Sequence, residues 1–271
     1  MTLCRYSVLV ILLSLALQSC EKKKTELSID SYPMNQGSEW HYQRTLYLTK
    51  YASDRSDKVV DVDTFHQAYR IRVTKDTVLN DTMYTTSFEI VDKENHNFKG
   101  QQYYYMDEEG LKLYAWGGSS GPIIFGKSAT DVNGNPLFSM GSFPDFIPFA
   151  QNNNLMYSIP PRLSLQYPLR GDSYWTCIEG NSSRNWRIDK KVAGRELLQV
   201  GNRKFSCFRV EWLYFDFVKD SDIYVTDWIA EEGLIQRIAE ILRKDSDSLD
   251  LQYMIDFETK EVIQLVDLNL K

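Results

Sequence analysis

The residues with chemistry to offer are few and badly spaced for it. The chain holds three histidines, His41, His66 and His96. None stands two or four positions from another, the spacing that turns two imidazoles toward one metal. Asp131-Val-Asn-Gly-Asn135 puts oxygen ligands at alternate positions, as a calcium loop does. Pro136 then stands where such a loop needs glycine, and no acidic residue closes it, so it reads as a turn. The carboxylate pairs Asp61/Asp63 and Asp245/Asp247 lie in charged stretches that read as solvated surface. A glycosidase needs two acids that need not be neighbours in sequence, so carboxylates alone decide nothing. The expectation is of a protein that is not an enzyme and uses no metal or cofactor.

The four cysteines are more telling. Arg5 precedes an apolar run from Ser7 to Leu17, too short for the ~20 residues that cross a bilayer as a helix and placed where targeting signals lie. The run ends in Leu17-Gln18-Ser19-Cys20, which resembles the lipobox of bacterial lipoproteins, Gln18 standing where a small residue is commoner. That resemblance implies a signal peptide over residues 1–19, a diacylglyceryl group on the Cys20 thiol, cleavage on its amino side and acylation of the new amine. Two or three acyl chains hold a protein on a membrane where one does not. Residues 20–30 then read as a lipidated polar tether, with Lys22 to Lys24 as its basic run. Glu21 is not the Asp that retains lipoproteins in the inner membrane by the sorting rule of that family. The expected location is the cell envelope, lipid-anchored at the outer membrane, on its periplasmic or surface face. Cys4 leaves with the leader. Cys177 and Cys207 remain, in a compartment that permits disulfides, either as a bonded pair or as two separately buried thiols. Gly171-Asp172-Ser173 resembles the nucleophile block of one serine-esterase class, but Ser173 runs into Tyr174-Trp175 and a strand pattern, so it reads as a turn.

Removal of the 19-residue leader leaves 252 of the 271 residues, and loss of Arg5 takes the net charge of −6 to about −7. An acidic body argues against nucleic acid, whose binding requires clustered Lys and Arg. Helical periodicity is almost absent, and period-two alternation recurs throughout: Trp40, Tyr42, Leu46 and Leu48; Tyr69, Ile71 and Val73; Ile188, Lys190 and Val192 following Trp186. Gly110 marks a hairpin between the Tyr103-Tyr-Tyr run and Leu111. Phe205 to Val218 is apolar or aromatic on both faces and reads as a central strand covered on both sides. Gly233 to Leu242 fits a strand better than a helix, and Glu258-Thr259-Lys260 reads as a turn. Residues 31–271 form one antiparallel β domain with an irregular excursion over 117–153. The fold class is all-β, a large curved sheet or open half-barrel. Tyr32-Pro-Met-Asn-Gln-Gly-Ser-Glu-Trp40 and Tyr167-Pro-Leu-Arg-Gly-Asp-Ser-Tyr-Trp175 lie 135 residues apart, so two related half-sheets, or a chance match of strand entries, account for the echo.

Aromatic side chains are the best candidates for binding. Tyr103, Tyr104, Tyr105, Tyr114 and Trp116 fit a sugar platform, a hydrophobic groove or plain core packing. The loop Phe143-Pro-Asp-Phe-Ile-Pro-Phe149 is hard to bury in a sheet and fits a lid, a partner contact or a cover for a sheet edge. Trp116, Phe143, Phe146 and Phe149 are therefore the candidate ligand-binding residues. Gly37-Ser-Glu-Trp-His-Tyr42, the Tyr167 to Trp175 segment and Trp228-Ile-Ala-Glu-Glu-Gly-Leu-Ile235 together resemble strand-entry motifs of uncharacterised envelope lipoproteins. Those are similar in turn to the LolA/LolB-like carriers, and the resemblance implies an open antiparallel sheet around an apolar cavity. The functional expectation is a non-enzymatic lipoprotein that binds a hydrophobic or amphipathic ligand or an envelope protein. A surface module for glycan or protein and a structural envelope component are the alternatives.

Overall fold

The computed structural model describes residues 28–51, 58–80, 83–92, 98–117, 155–179, 187–215, 221–243 and 257–271. The alternating segments form twelve strands: β1 (Glu39–Tyr51), β2 (Val59–Leu79), β3 (Met83–Asp92), β4 (Phe98–Met106), β5 (Gly110–Gly117), β6 (Met156–Gln166), β7 (Tyr174–Glu179), β8 (Arg187–Val200), β9 (Arg203–Phe215), β10 (Ser221–Ala230), β11 (Gly233–Arg243) and β12 (Phe257–Asn269). Every pairing is antiparallel, in a single sheet ordered β6-β5-β4-β3-β2-β1-β12-β11-β10-β9-β8-β7. Each strand thus lies beside its neighbour in sequence, and β12 closes on β1. The curved sheet expected from the sequence curls until β6 and β7 come alongside, giving a nearly closed up-and-down barrel. At that seam side chains replace the ladder: Trp175 Nε1 donates to the Leu163 carbonyl at 3.1 Å and Lys190 Nζ to the Ser164 carbonyl at 2.8 Å. Pro160 and Pro161 on β6 have no N–H to offer a further strand, which suits an edge.

The two rims differ. At one, the N-terminal segment straps the barrel shut. Ile29 and Leu169 exchange backbone hydrogen bonds at 3.1 and 2.7 Å, and Asn35 Nδ2 donates to the Lys271 carbonyl at 2.6 Å. Four of the five connections at this rim have two or three residues and the fifth, from β6 to β7, has seven; Asn80, Gly110, Gly201 and Gly233 take positive φ there. The other rim carries the six remaining connections, among them the one that joins Gly117 of β5 to Met156 of β6. The expected excursion over 117–153 falls on that connection, and apart from Gly117 it lies outside the described residues.

Inside, the side chains are layered from the strapped rim upward. Trp40, Tyr42, Tyr69, Ile71, Ile229 and Leu265 are all buried and form an apolar floor. Tyr42 stacks on Tyr69 at 5.4 Å between centroids. One register step further, Asp227, Arg237, Ile263, Arg44 and Gln67 lie in a row across β10, β11, β12, β1 and β2. This is a charged belt. Arg237 grips Asp227 through Nε to Oδ1 at 2.6 Å and Nη2 to Oδ2 at 2.8 Å, Trp212 Nε1 donates to the same carboxylate at 2.9 Å, and Arg44 donates to Glu261. Bidentate guanidinium–carboxylate pairing is what makes such buried charge tolerable.

The barrel also falls into two matching halves. β1–β6 and β7–β12 are each a six-strand meander, opened by the Tyr32 and Tyr167 segments. Trp40 and Trp175 are the second residues of β1 and β7, are both buried, and each donates its indole N–H to a carbonyl. A second echo supports the match: Glu108-Glu-Gly-Leu111 turns β4 into β5, and Glu231-Glu-Gly-Leu234 turns β10 into β11.

Two questions that the sequence leaves open are answered, and two expectations are corrected. Cys177 and Cys207 are two buried thiols and form no disulfide. Cys177 lies on β7 beside Thr176, which faces Asp189 of β8, whereas Cys207 on β9 faces Glu196. They are two strands and seven residues apart, more than 20 Å along the strands at about 3.3 Å per residue, and a disulfide spans at most ~7 Å between Cα atoms. Glu258-Thr259-Lys260 is no turn. Those residues pair with Thr49, Leu48 and Tyr47 of β1 inside a continuous β12. β9 is central but not covered on both sides: on the face opposite Val210 and Trp212, Arg209 and Glu211 are half-buried. The aromatic run 103–116 is no single platform, because Tyr104 and Trp116 point inward and are buried while Tyr103, Tyr105 and Tyr114 face outward.

Candidate functional site

Of the candidate binding residues, Trp116 is described. Phe143, Phe146 and Phe149 lie outside the described residues, as do Cys20, the signal peptide and the Asp131 loop. Trp116 is the seventh residue of β5, at the rim of the long connections, and turns its indole into the barrel with 3% exposure. Gln102 of β4 stands directly opposite it and is 1% exposed. Tyr104, two residues along the same inner face, donates its hydroxyl to Gln102 Oε1 at 2.9 Å. That fixes the amide, leaving Nε2 to face onward.

Neither Gln102 Nε2 nor Trp116 Nε1 has a hydrogen-bond partner. A desolvated donor left unmade costs ~1–3 kcal/mol, so two on adjacent strands and one face are a conspicuous expense. Arg162 of β6 completes the group. Opposite Leu113 on the inner face, it sets its guanidinium carbon 4.8 Å from the centre of the Trp116 ring, a cation–π contact. The sequence pointed to Trp116 by its aromaticity and missed Gln102 and Arg162. A signal existed for Gln102, which shares the period-two phase of Tyr104 and breaks an otherwise apolar stripe.

The charged belt was missed in the same way. Arg44 falls on the phase of Trp40, Tyr42 and Leu46, and Arg237 on that of Ile235 and Ala239. Lys190, flagged only as a strand marker, sits with Nζ 3.9 Å over the Trp212 ring. Belt groups are locked to one another, as befits a scaffold. Burial raises the phenol pKa of Tyr42 and Tyr69 beside the belt, and it pushes the Cys207 thiol up to about 12. Neither phenol is poised as an acid or base near neutral pH, and the thiol is no nucleophile there. Among the described residues, no group of three His, Cys, Asp or Glu side chains gathers around a point where an ion could sit. His41 lies 3.6 Å from Glu39, and His66 is 3.2 Å from Thr45 Oγ1.

A separate cleft of about 360 Å³ opens at the strapped rim, where β6 passes to β7, lined by Gln166, Pro168, Arg170, Asp172, Ser173 and Tyr174. Ser173 Oγ there accepts from the Arg170 backbone N–H at 2.9 Å, the turn expected of it.

No family model matches the chain, and no curated protein does. Among solved structures, a candidate lipoprotein from Parabacteroides distasonis ATCC 8503 superposes with a TM-score of 0.38 at 11% identity, covering 90% of this chain and 100% of its own. A candidate exported protein with YmcC-like fold from Bacteroides fragilis NCTC 9343 superposes with a TM-score of 0.31 at 12% identity, covering 89% and 99%. At such scores neither likeness bears on what this chain does.

Proposed function

We propose that this is a non-enzymatic lipoprotein of the cell envelope, anchored at the outer membrane through Cys20, that binds an amphipathic ligand at the barrel rim farthest from its anchor. One observation carries the reading: the two rims are unlike, and the tether joins the strapped one. Cys20 stands eight residues before Ser28, a reach of at most ~29 Å when fully extended. The strapped rim therefore stays near the bilayer, and the rim of long connections, with Trp116 beneath it, faces away. Aromatic and donor side chains turned inward at that rim suit a ligand with both apolar and polar parts.

A second reading rests on the cleft at Gln166 to Tyr174. Its volume and its Tyr, Arg and Asp side chains suit a sugar or a short peptide, making the protein a surface module. The cleft opens on the anchored rim, where the bilayer restricts approach, so this reading ranks second.

Native mass spectrometry tests the first reading. The mature-length chain, residues 20–271 with Cys20→Ser to prevent acylation, is purified gently from envelope-exposed expression, and the same sample is lipid-extracted. A bound amphiphile that leaves on denaturation is the expected result. A clean apo mass that persists after incubation with envelope lipid extract would overturn the ligand reading.

A further inference from the structure

Gln102, Trp116 and Arg162 share one property that narrows the ligand: each presents N–H donors. The indole N–H is a donor with no acceptor face, and a guanidinium has no acceptor at all. The Gln102 amide oxygen already accepts from the Tyr104 hydroxyl at 2.9 Å, and its NH2 has no partner. Two of these donors, Gln102 Nε2 and Trp116 Nε1, are buried and unpartnered, they face each other across β4 and β5, and the Arg162 charge lies over the indole.

We infer that these three side chains form a head-group site for an oxyanion, the carboxylate or phosphate end of an amphiphile. The inference deepens the proposed ligand reading and rests on it. An ammonium head or a metal cation would meet the Arg162 charge and one remaining lone pair of the Gln102 amide oxygen as its sole acceptor among the three. A sugar hydroxyl is neutral and would leave the guanidinium charge unanswered. An oxyanion only accepts, and its burial requires a cation and several N–H groups together.

The test uses three probes with one tail: hexadecanoate, hexadecyl phosphate and hexadecanol. Residues 20–271 carrying Cys20→Ser are labelled with 15N at tryptophan, and Trp116→Phe assigns the Trp116 indole resonance. The expected result is that one or both anions displace that resonance, while hexadecanol does not. The anion's advantage over hexadecanol should be at least about tenfold, the worth of a hydrogen bond to a charged group. It should collapse in Arg162→Met and in Gln102→Leu, each checked for an unchanged thermal midpoint. Arg162→Lys, which keeps the charge without the fork, should restore part of it. Whichever anion binds more tightly identifies the source of the head group. If all three probes bind alike and the Trp116 resonance stays still, the head-group site is overturned and the ligand reading stands. If no probe binds but acetate or inorganic phosphate moves Trp116, the site stands and the amphiphile reading falls. No response to any of the five overturns both.

Discussion

Gly110 and Gly233 hold the same place in the two halves of the barrel: Gly233 is pressed by the entry segment of the opposite half, and Gly110 by the end of β6 in its own half together with Tyr167, where the opposite half begins. A Cβ built on Gly233 would lie 2.6 Å from the Tyr32 hydroxyl and 3.1 Å from Trp40 Nε1. One on Gly110 would lie 2.1 Å from the Leu165 carbonyl oxygen and 2.9 Å from the backbone N of Tyr167. Both glycines also take positive φ, +109° and +145°, which side chains disfavour. The halves are thus locked by exchange, the Tyr32 segment on the Glu231-Glu-Gly-Leu234 turn and the Tyr167 segment on the Glu108-Glu-Gly-Leu111 turn.

Substitution of these glycines should therefore be costly and unequal. Gly233→Ala should lose ~2–4 kcal/mol, from backbone strain and overpacking together. Gly110→Ala should lose more, because it meets backbone that cannot rotate away. Tyr32→Phe, by removing the hydroxyl, should recover part of the loss at Gly233 and none at Gly110. Urea unfolding of the single and double variants checks this, and equal recovery at both sites would refute the exchange.

The belt makes a prediction of its own. Arg237→Met leaves Asp227 buried with only the Trp212 N–H, and breaking a buried pair from one side costs ~3–5 kcal/mol. Asp227→Leu combined with Arg237→Met removes both charges and should be milder than either single change. A double variant worse than both singles would mean that the pair is held for more than mutual neutralisation.

Much of this architecture was legible because burial on one face writes itself as alternation. Trp40, Tyr42 and Leu46 show the phase of β1, and Ile188 and Val192 that of β8. Polar residues on the inward phase misled in proportion to their charge. Arg44, Arg237 and Glu261 went unmarked, and Lys190 stood only as part of a strand's alternation, since nothing local says that their partners arrive from other strands; Arg44 and Glu261 are 217 residues apart. The Cys177–Cys207 question stayed open in the sequence for the same reason, and the interposed strand β8 and its register answer it. Glu258-Thr259-Lys260 looked like a turn by composition, and it is held extended by ladders on both sides. The Tyr-Pro echo was visible, but the paired Glu-Glu-Gly-Leu turns gain meaning only once topology shows that they occupy matching positions.

The two thiols should be silent in the folded protein and equal under denaturation. With burial pushing Cys207 up to about 12, about one part in ten thousand is thiolate at pH 8, and thiolate is the reacting form. Residues 20–271 with Cys20→Ser should give no fast reaction with a thiol reagent when native and two equivalents in guanidinium. A reductant should leave the thermal midpoint unchanged. A midpoint that falls on reduction would reinstate the disulfide.

Alkali should open the barrel through its buried phenols. Tyr32, Tyr42, Tyr69, Tyr167 and Tyr214 are all raised above their ordinary value of 10.0, and in each the first cause is burial. The unfolded chain releases these protons near pH 10, whereas the folded chain keeps them. Below pH 10 the groups do not alter stability; above it the unfolded state binds fewer protons, and stability falls with each further pH unit. Three of the five, Tyr32, Tyr42 and Tyr69, surround the floor layer, so they cannot ionise one at a time without water reaching the core. Phenolate absorbance from this set should rise in one cooperative step above pH 10, coincident with loss of the β-sheet circular dichroism. Replacing Tyr69 by Phe removes one of the five protons released on unfolding, and should make the decline with pH shallower by about 1.4 kcal/mol per unit at its steepest. Gradual ionisation of all the phenols with the sheet signal intact would show that the floor admits hydroxide and is not the sealed layer described here.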